Sequence, residues 1–239
     1  MFLQASTYSL YFKSKTAILY YKQLTNLLYN AIIKLESSLL NKFRDSLQPI
    51  MSKIGMTFAS FGLTANFLTA VGLAMSIMAG AVYATAAPRI GFSWPYVSIV
   101  GGSLLLISGF FDMVDGNVAR ASKQSSKKGA FLDSSFDKIS ETVIFIGIAF
   151  GSLADPIWCM VALSLSLLVS YTRSRAESLG VELKGIGIGE RAERLLIIAT
   201  IGMIPITGSM QLAVIIVSVV AGVTLIQRIA VTSKSCKII

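Results

Sequence analysis

Five stretches of 13 or more residues in this chain contain no Asp, Glu, Lys or Arg: residues 54–88, 90–111, 142–154, 156–172 and 195–227. Inside a bilayer no water can bond an exposed N–H or C=O, so only helices and closed barrels cross it. About 20 apolar residues make one helical span, against roughly 10 for a barrel strand. Runs of this length therefore read as helices. Only 14% of the residues are charged and 54% are hydrophobic, where a soluble domain carries about 25% charge. The expectation is an all-α integral membrane protein.

Turn residues divide the runs. Thr64-Ala65-Asn66 offers a helix cap, and a first span follows over about Asn66–Thr85. Pro88, Arg89 and Gly91 make the next turn, after which a second span runs from Trp94 through Phe111 into an acidic stretch. Arg120 is followed by a polar, basic loop. A third span is expected over about Ala130–Leu153, a fourth from Asp155-Pro156 to near Arg175, a fifth from Arg191 to Pro205 and a sixth from Ser209 to Ile229. Residues 176–190 read as a connecting loop. Upstream, Leu40, Phe43, Leu47, Ile50, Met51 and Ile54 recur at helical spacing, with Lys42, Arg44, Asp45 and Lys53 on other faces and Pro49 as a kink. That pattern predicts an N-terminal amphipathic helix at the membrane interface, or else one packed on a partner helix. The division is thus a cytoplasmic extension (1–34), a juxtamembrane amphipathic helix (35–62), six transmembrane helices (63–232) and a cytoplasmic tail (233–239).

Charge sets the orientation. With six spans both termini share a side, and that side receives 19 of the basic residues; the other receives only Arg89, and Lys138 lies within the third span. By the positive-inside bias, the termini and the acidic stretch face the cytoplasm; the expected location is the plasma membrane. The net charge of +9 then fits an anionic lipid surface and not nucleic acid. There is no histidine, which excludes His-based acid–base chemistry and His-ligated metals. Cys159 and Cys236 form no disulfide framework.

The acidic stretch, residues 112–137, holds four of the twelve acidic residues: Asp112, Asp115, Asp133 and Asp137. Carboxylates in or beside membrane spans are costly and mark function. Asp112 and Asp115 stand at i and i+3, Asp133 and Asp137 at i and i+4, so each pair occupies one helix face. Two helices joined by a short loop are antiparallel neighbours, and the faces can converge. Four converging carboxylates call for divalent cations, and an all-oxygen set suits Mg²⁺ or Mn²⁺. Gly116 and Gly129 leave room for a close approach. Arg120, on the same face as Asp112 and Gly116, can meet a phosphate bidentately. Metal with arginine describes a pyrophosphate site; salt-bridged structural acids and an ion pathway are the alternatives.

The pattern D-x2-D-G-x2-A-R-x8-G-x3-D-x3-D is filled by Asp112, Asp115, Gly116, Ala119, Arg120, Gly129, Asp133 and Asp137, and it resembles the signature of the CDP-alcohol phosphotransferase family. The resemblance covers residues 35–232. It implies transfer of the phosphatidyl-type group of a CDP-lipid, carrying diacylglycerol or archaeol, to an alcohol with release of CMP. It further implies two Mg²⁺ or Mn²⁺ ions held by Asp112, Asp115, Asp133 and Asp137, with Asp137 the general base. Gly116, Ala119 and Arg120 would line the CDP pocket close to Thr64 and Asn66. Family members form homodimers through their spans. Many relatives have proline where Ala65 stands here.

The acceptor is read from segments 171–180 and 189–196, which supply Arg173, Arg175, Arg191 and Arg194. Four guanidiniums near a metal site suit a phosphorylated alcohol; interfacial anchors paired with Glu177, Glu190 and Glu193 are the alternative. The two segments resemble the branch that uses inositol phosphate, the phosphatidylinositol-phosphate and archaetidylinositol-phosphate synthases, with Ala192 where relatives often carry proline. Glycerol 3-phosphate or another alcohol is the alternative within the family, and a divalent-metal transporter the alternative outside it. An Asp-rich prenyl-diphosphate enzyme would need closely spaced D-D-x-x-D runs, which are missing. The Gly185-Ile-Gly-Ile-Gly189 loop has no preceding strand, so a dinucleotide reading is rejected.

Overall fold

The computed structural model describes residues 48–88, 90–122, 126–183 and 185–236. The expected extension 1–34, the first part of the juxtamembrane helix, Arg89, Lys123, Lys184 and the last three residues of the tail lie outside the described residues.

Every described helix is α, and no strand occurs among the described residues. We label the helical residues 48–60 α1. It is followed by α2 (Ala65–Ala84), α3 (Trp94–Ala121), α4 (Lys127–Phe150), α5 (Pro156–Ser178), α6 (Arg191–Gly202) and α7 (Ser209–Ser235). Local chemistry sets these limits. The Thr64 hydroxyl accepts the Phe67 N–H, Ser126 accepts that of Gly129, and the Asp155 carboxylate accepts those of Ile157 and Trp158, each satisfying first-turn donors. Pro95 and Pro156 stand in the first turns of α3 and α5, where a missing N–H costs nothing. Gly208, at φ 86°, turns the chain into α7 in a conformation open to glycine.

The helices stand where the uncharged runs place them, with shifted ends. The cap at Ser126 starts α4 at Lys127 instead of Ala130, so the polar loop is shorter than its composition suggests. α5 continues to Ser178, and α7 runs to Ser235, taking in residues 233–235 of the expected tail. Among the described residues four helices, α2, α3, α5 and α7, are long and apolar enough to cross a membrane. α6 has 12 residues, about 18 Å at 1.5 Å per residue, and α4 carries Asp133, Asp137, Lys138 and Glu141.

The outside of the bundle carries large apolar side chains, and its inside carries small polar ones. Ile146, Phe150, Met160, Val219 and Ile226 are exposed on helices, whereas Ser76, Ser98, Ser108, Ser140, Ser166, Ser218 and Thr224 are buried between them. In lipid, hydrophobicity does not drive helices together; small and weakly polar residues that allow close packing do. The tightest crossing joins α2 to α4. A Cβ on Gly147 would lie 2.1 Å from the Gly80 carbonyl oxygen, so no side chain fits there.

α1 does not lie free. Met51, Ile54 and Phe58 pack with Leu68, Val114 and Val118, and Gly55 comes so close to α3 that a Cβ would stand 2.7 Å from the Asn117 Cβ. Over its described part, then, the expected interfacial helix is partner-packed along one face, while Ile50 and Met56 are exposed.

A candidate metal and phosphate centre

Contacts along the chain place the start of α2, the end of α3 and the starts of α4 and α6 at one end of the bundle. Thr69 reaches Asp115, Arg191 reaches Asp112, and Asn66 Oδ1 lies against Gly129. Antiparallel neighbours with short connections produce this arrangement, and it converges the two halves of the acidic stretch. One carboxylate oxygen from each of Asp112, Asp133 and Asp137 lies within 4.8 Å of the others. All three residues are half-buried.

Asp115 stands apart from that trio. Its carboxylate accepts the Thr69 hydroxyl at 2.7 Å, and the residue is only 7% exposed. Nothing in the sequence pattern singles out Thr69, whose role appears only when α2 is laid beside α3.

Arg191 lies against two members of the trio. Its Nη1 donates to Asp112 Oδ1 at 2.9 Å and pairs with Asp137 Oδ1 at 2.6 Å. The helix position explains the reach: Arg191 is the first residue of α6, after the cap residue Glu190, whose N–H is accepted by the Glu193 side chain. A cleft lined by Thr69, Gly72, Ser108, Asp112, Asp137, Ser140 and Arg191 opens beside the trio.

The other arginines divide. Arg194 does not face the site at all: it is 2% exposed, and its Nε and Nη2 both donate to Glu141 Oε1, at 2.8 and 2.6 Å, while Nη1 donates to the Gly189 carbonyl at 2.6 Å. Its expected role as a phosphate ligand is corrected on that account, since a guanidinium fully committed to buried partners has no fork to offer. Arg173 pairs with Glu177 one turn on, at 2.9 Å and half-exposed. This is the anchor arrangement weighed as the alternative. Arg175 is exposed, its Nη1 reaching the Ser178 hydroxyl at 3.5 Å. Arg228 is buried and binds the carbonyls of Ile186 and Val169, tying the α5–α6 loop to α5 and α7.

Among the residues expected to line the CDP pocket, Gly116 faces open space. A Cβ there would meet only Arg120 Nη1, at 3.8 Å, so this glycine is not spent on helix packing. Arg120 is exposed, its Nη2 donating to Asn117 Oδ1 at 2.9 Å. Ala119 is half-buried on the same helix, Asn66 is exposed, and Thr64 holds its cap. The glycine loop 185–189 lies on α7: a Cβ on Gly187 would stand 2.3 Å from Thr224 Cγ2, and no nucleotide fold surrounds it. Cys159 and Cys236 are both free.

An all-carboxylate trio of this spacing fits a hard divalent cation, which takes oxygen ligands. Comparison with known proteins identifies the setting. A family model for CDP-alcohol phosphatidyltransferases matches residues 62–231. The chain belongs to this family. The transferase is 34% identical over 198 residues to an archaetidylinositol phosphate synthase of Pyrococcus horikoshii, covering 82% of this chain and 97% of that one. It is 36% identical over 197 residues to the protein of that name from Methanothermobacter thermautotrophicus, covering 81% and 94%. A phosphatidylinositol phosphate synthase of Streptomyces avermitilis is 32% identical over 216 residues, 82% and 84% of the two chains. Among solved structures, the Mycobacterium tuberculosis phosphatidylinositol phosphate synthase with CDP-DAG bound superposes with a TM-score of 0.64 at 24% identity, over 77% of this chain and 94% of that one. The same enzyme in complex with manganese and citrate gives 0.62 over 76% and 88%. The shared fold is that of a multi-pass membrane enzyme. The transporter alternative finds no support, since the acids gather at one end of neighbouring helices instead of running along a pathway.

Proposed function

We propose that this transferase moves the lipid phosphate group of a CDP-lipid onto an inositol phosphate, with Asp112, Asp115, Asp133 and Asp137 as the cation-binding set. The single observation that carries the reading is the carboxylate trio within 4.8 Å with Arg191 against two of its members. The names of the relatives above 30% identity support the acceptor class.

Two bound Mg²⁺ or Mn²⁺ ions would neutralise the entering and leaving oxygens of the displacement. The chain's own residues do the rest. Asp112 and Asp115, on one face of α3, would hold with Asp133 the cations at the pyrophosphate end of the site. Gly116 and Ala119 give the donor access, with Arg120, Asn66 and Thr64 at its nucleotide end. Asp137 takes the proton of the attacking hydroxyl as its oxygen bonds to the lipid-side phosphorus; the bond from that phosphorus to the CMP oxygen breaks, and CMP leaves. Arg191, paired with Asp112 and Asp137, is the ligand for the acceptor's phosphate, with Arg173 and Arg175 at the rim. A charge-assisted fork of this kind selects a phosphate ester over a neutral alcohol.

We further infer that α4 and the short α6 complete a bundle of six membrane helices and that the enzyme is a plasma-membrane homodimer; the basic bias supports termini and site on the cytoplasmic side. The test is CMP release from a CDP-lipid, ether- or ester-linked, with inositol 1-phosphate, glycerol 3-phosphate, serine and free inositol as acceptors. Release with inositol 1-phosphate alone is expected. Equal turnover with free inositol would remove the need for a phosphate site.

A further inference from the structure

Asp137 and Glu141 are one turn apart on α4, and Arg191 and Arg194 one turn apart on α6. The two helices are therefore joined by two ion-pair rungs. The outer rung, Asp137 to Arg191 at 2.6 Å, belongs to the site. The inner rung, Glu141 to Arg194 at 2.6 Å, is sealed: the side chains are 0% and 2% exposed. Its arginine also grips the Gly189 carbonyl, the last loop residue before the cap of α6. One guanidinium so ties together the body of α4, the end of the α5–α6 loop and the first turn of α6, the turn that begins with Arg191.

We propose that Glu141 is a positioning residue, which through Arg194 fixes the first turn of α6 and so holds Arg191 against Asp112 and Asp137. As a device for stability alone the inner rung is poor, because well-packed apolar residues of similar volume serve as well or better. Here Glu141 Oε2 is left without a hydrogen-bond partner among the described residues. What the ion pair supplies and an apolar pair cannot is directional registry between α4 and the start of α6. Arg191 needs that registry: its Nε also has no hydrogen-bond partner among the described residues, so its placement depends on Nη1 and on where its backbone stands. Sequence reading passed over Glu141, although its spacing of four from Asp137 inside an expected span was the signal that could have found it.

This inference rests on the acceptor role proposed for Arg191, and the experiment separates the two. CMP release is measured with the purified full chain against acceptor, CDP-lipid and Mn²⁺ concentrations for Glu141→Gln, Arg191→Ala and the double variant. Glu141→Gln should raise the acceptor KM by about 10-fold with little change in the CDP-lipid KM, and the double variant should be no worse than Arg191→Ala, because residues acting as one unit are not additive. Additive losses, or an unchanged acceptor KM in a folded Glu141→Gln enzyme, would overturn the proposal. Should Arg191→Ala leave the acceptor KM unchanged, the acceptor role falls, but positioning is still read from Mn²⁺ dependence, which both single variants should shift alike; no common shift overturns it. If Glu141→Gln fails to fold, the double replacement Glu141→Gln with Arg194→Met leaves no lone buried charge. A raised acceptor KM there supports the registry role, and a wild-type KM sinks it.

Discussion

Gly116→Ala separates the fold from the site, because the substitution should stabilise one and damage the other. The glycine lies inside α3, and an added methyl would meet only Arg120 Nη1, at 3.8 Å. No helix is displaced. Alanine in place of glycine in a helix interior gains about 1 kcal/mol, and in a domain of this size that is worth roughly 2–4 °C in Tm. The donor lies against this face in the proposed reaction, so the same methyl overpacks the complex. Overpacking costs about 1–3 kcal/mol, which at 1.36 kcal/mol per tenfold raises the CDP-lipid KM by roughly 5- to 150-fold. Thermal unfolding in detergent and CMP release at saturating acceptor measure the two effects on one preparation. A more stable enzyme with an unchanged CDP-lipid KM would refute the donor position. A less stable one would refute the open space above Gly116.

Further outcomes concern the acids and the helix crossing. Asp137→Asn should abolish transfer while CDP-lipid still binds, and full turnover would end its role as general base. Asp112→Asn should lose divalent-cation-dependent donor binding, seen as a Mn²⁺ titration that no longer saturates. Chelation with EDTA should stop CMP release and added Mg²⁺ or Mn²⁺ restore it; release unaffected by chelation would contradict the reading of the trio. Gly147→Ala should lower the unfolding temperature, since its Cβ would sit 2.1 Å from the Gly80 oxygen and overpacking of that kind costs about 1–3 kcal/mol.

The helices were legible because lipid admits few alternatives to a helix in an uncharged run, and because Thr64, Asp155 and Gly208 mark their ends in plain chemistry. The convergence of Asp112, Asp133 and Asp137 was legible too, since a short connection leaves two helices little choice but to lie side by side. Sequence could not tell Arg191 from Arg194. Both are arginines at the start of α6, three residues apart, and which one faces the site depends on the rotation of α6 against α4. That rotation is set by Glu141, a partner 53 residues away. The same limit hid Thr69, whose bond to Asp115 spans 46 residues, and the burial of Arg228, one of the basic residues behind the charge bias, against backbone carbonyls.

The crossing of Gly80 and Gly147 has a reach beyond its own contact. Thr69 stands 11 residues from Gly80 along α2 and Asp137 ten residues from Gly147 along α4, arms of about 15 Å at 1.5 Å per residue. Widening the crossing tilts both arms, and a tilt of about 4° moves their far ends by roughly 1 Å. A misplacement of that size at reacting groups can cost about 100-fold in rate. Two hydrogens where side chains would otherwise stand therefore act as the gauge for the bore of the site, set deep in the bundle and read out at its mouth.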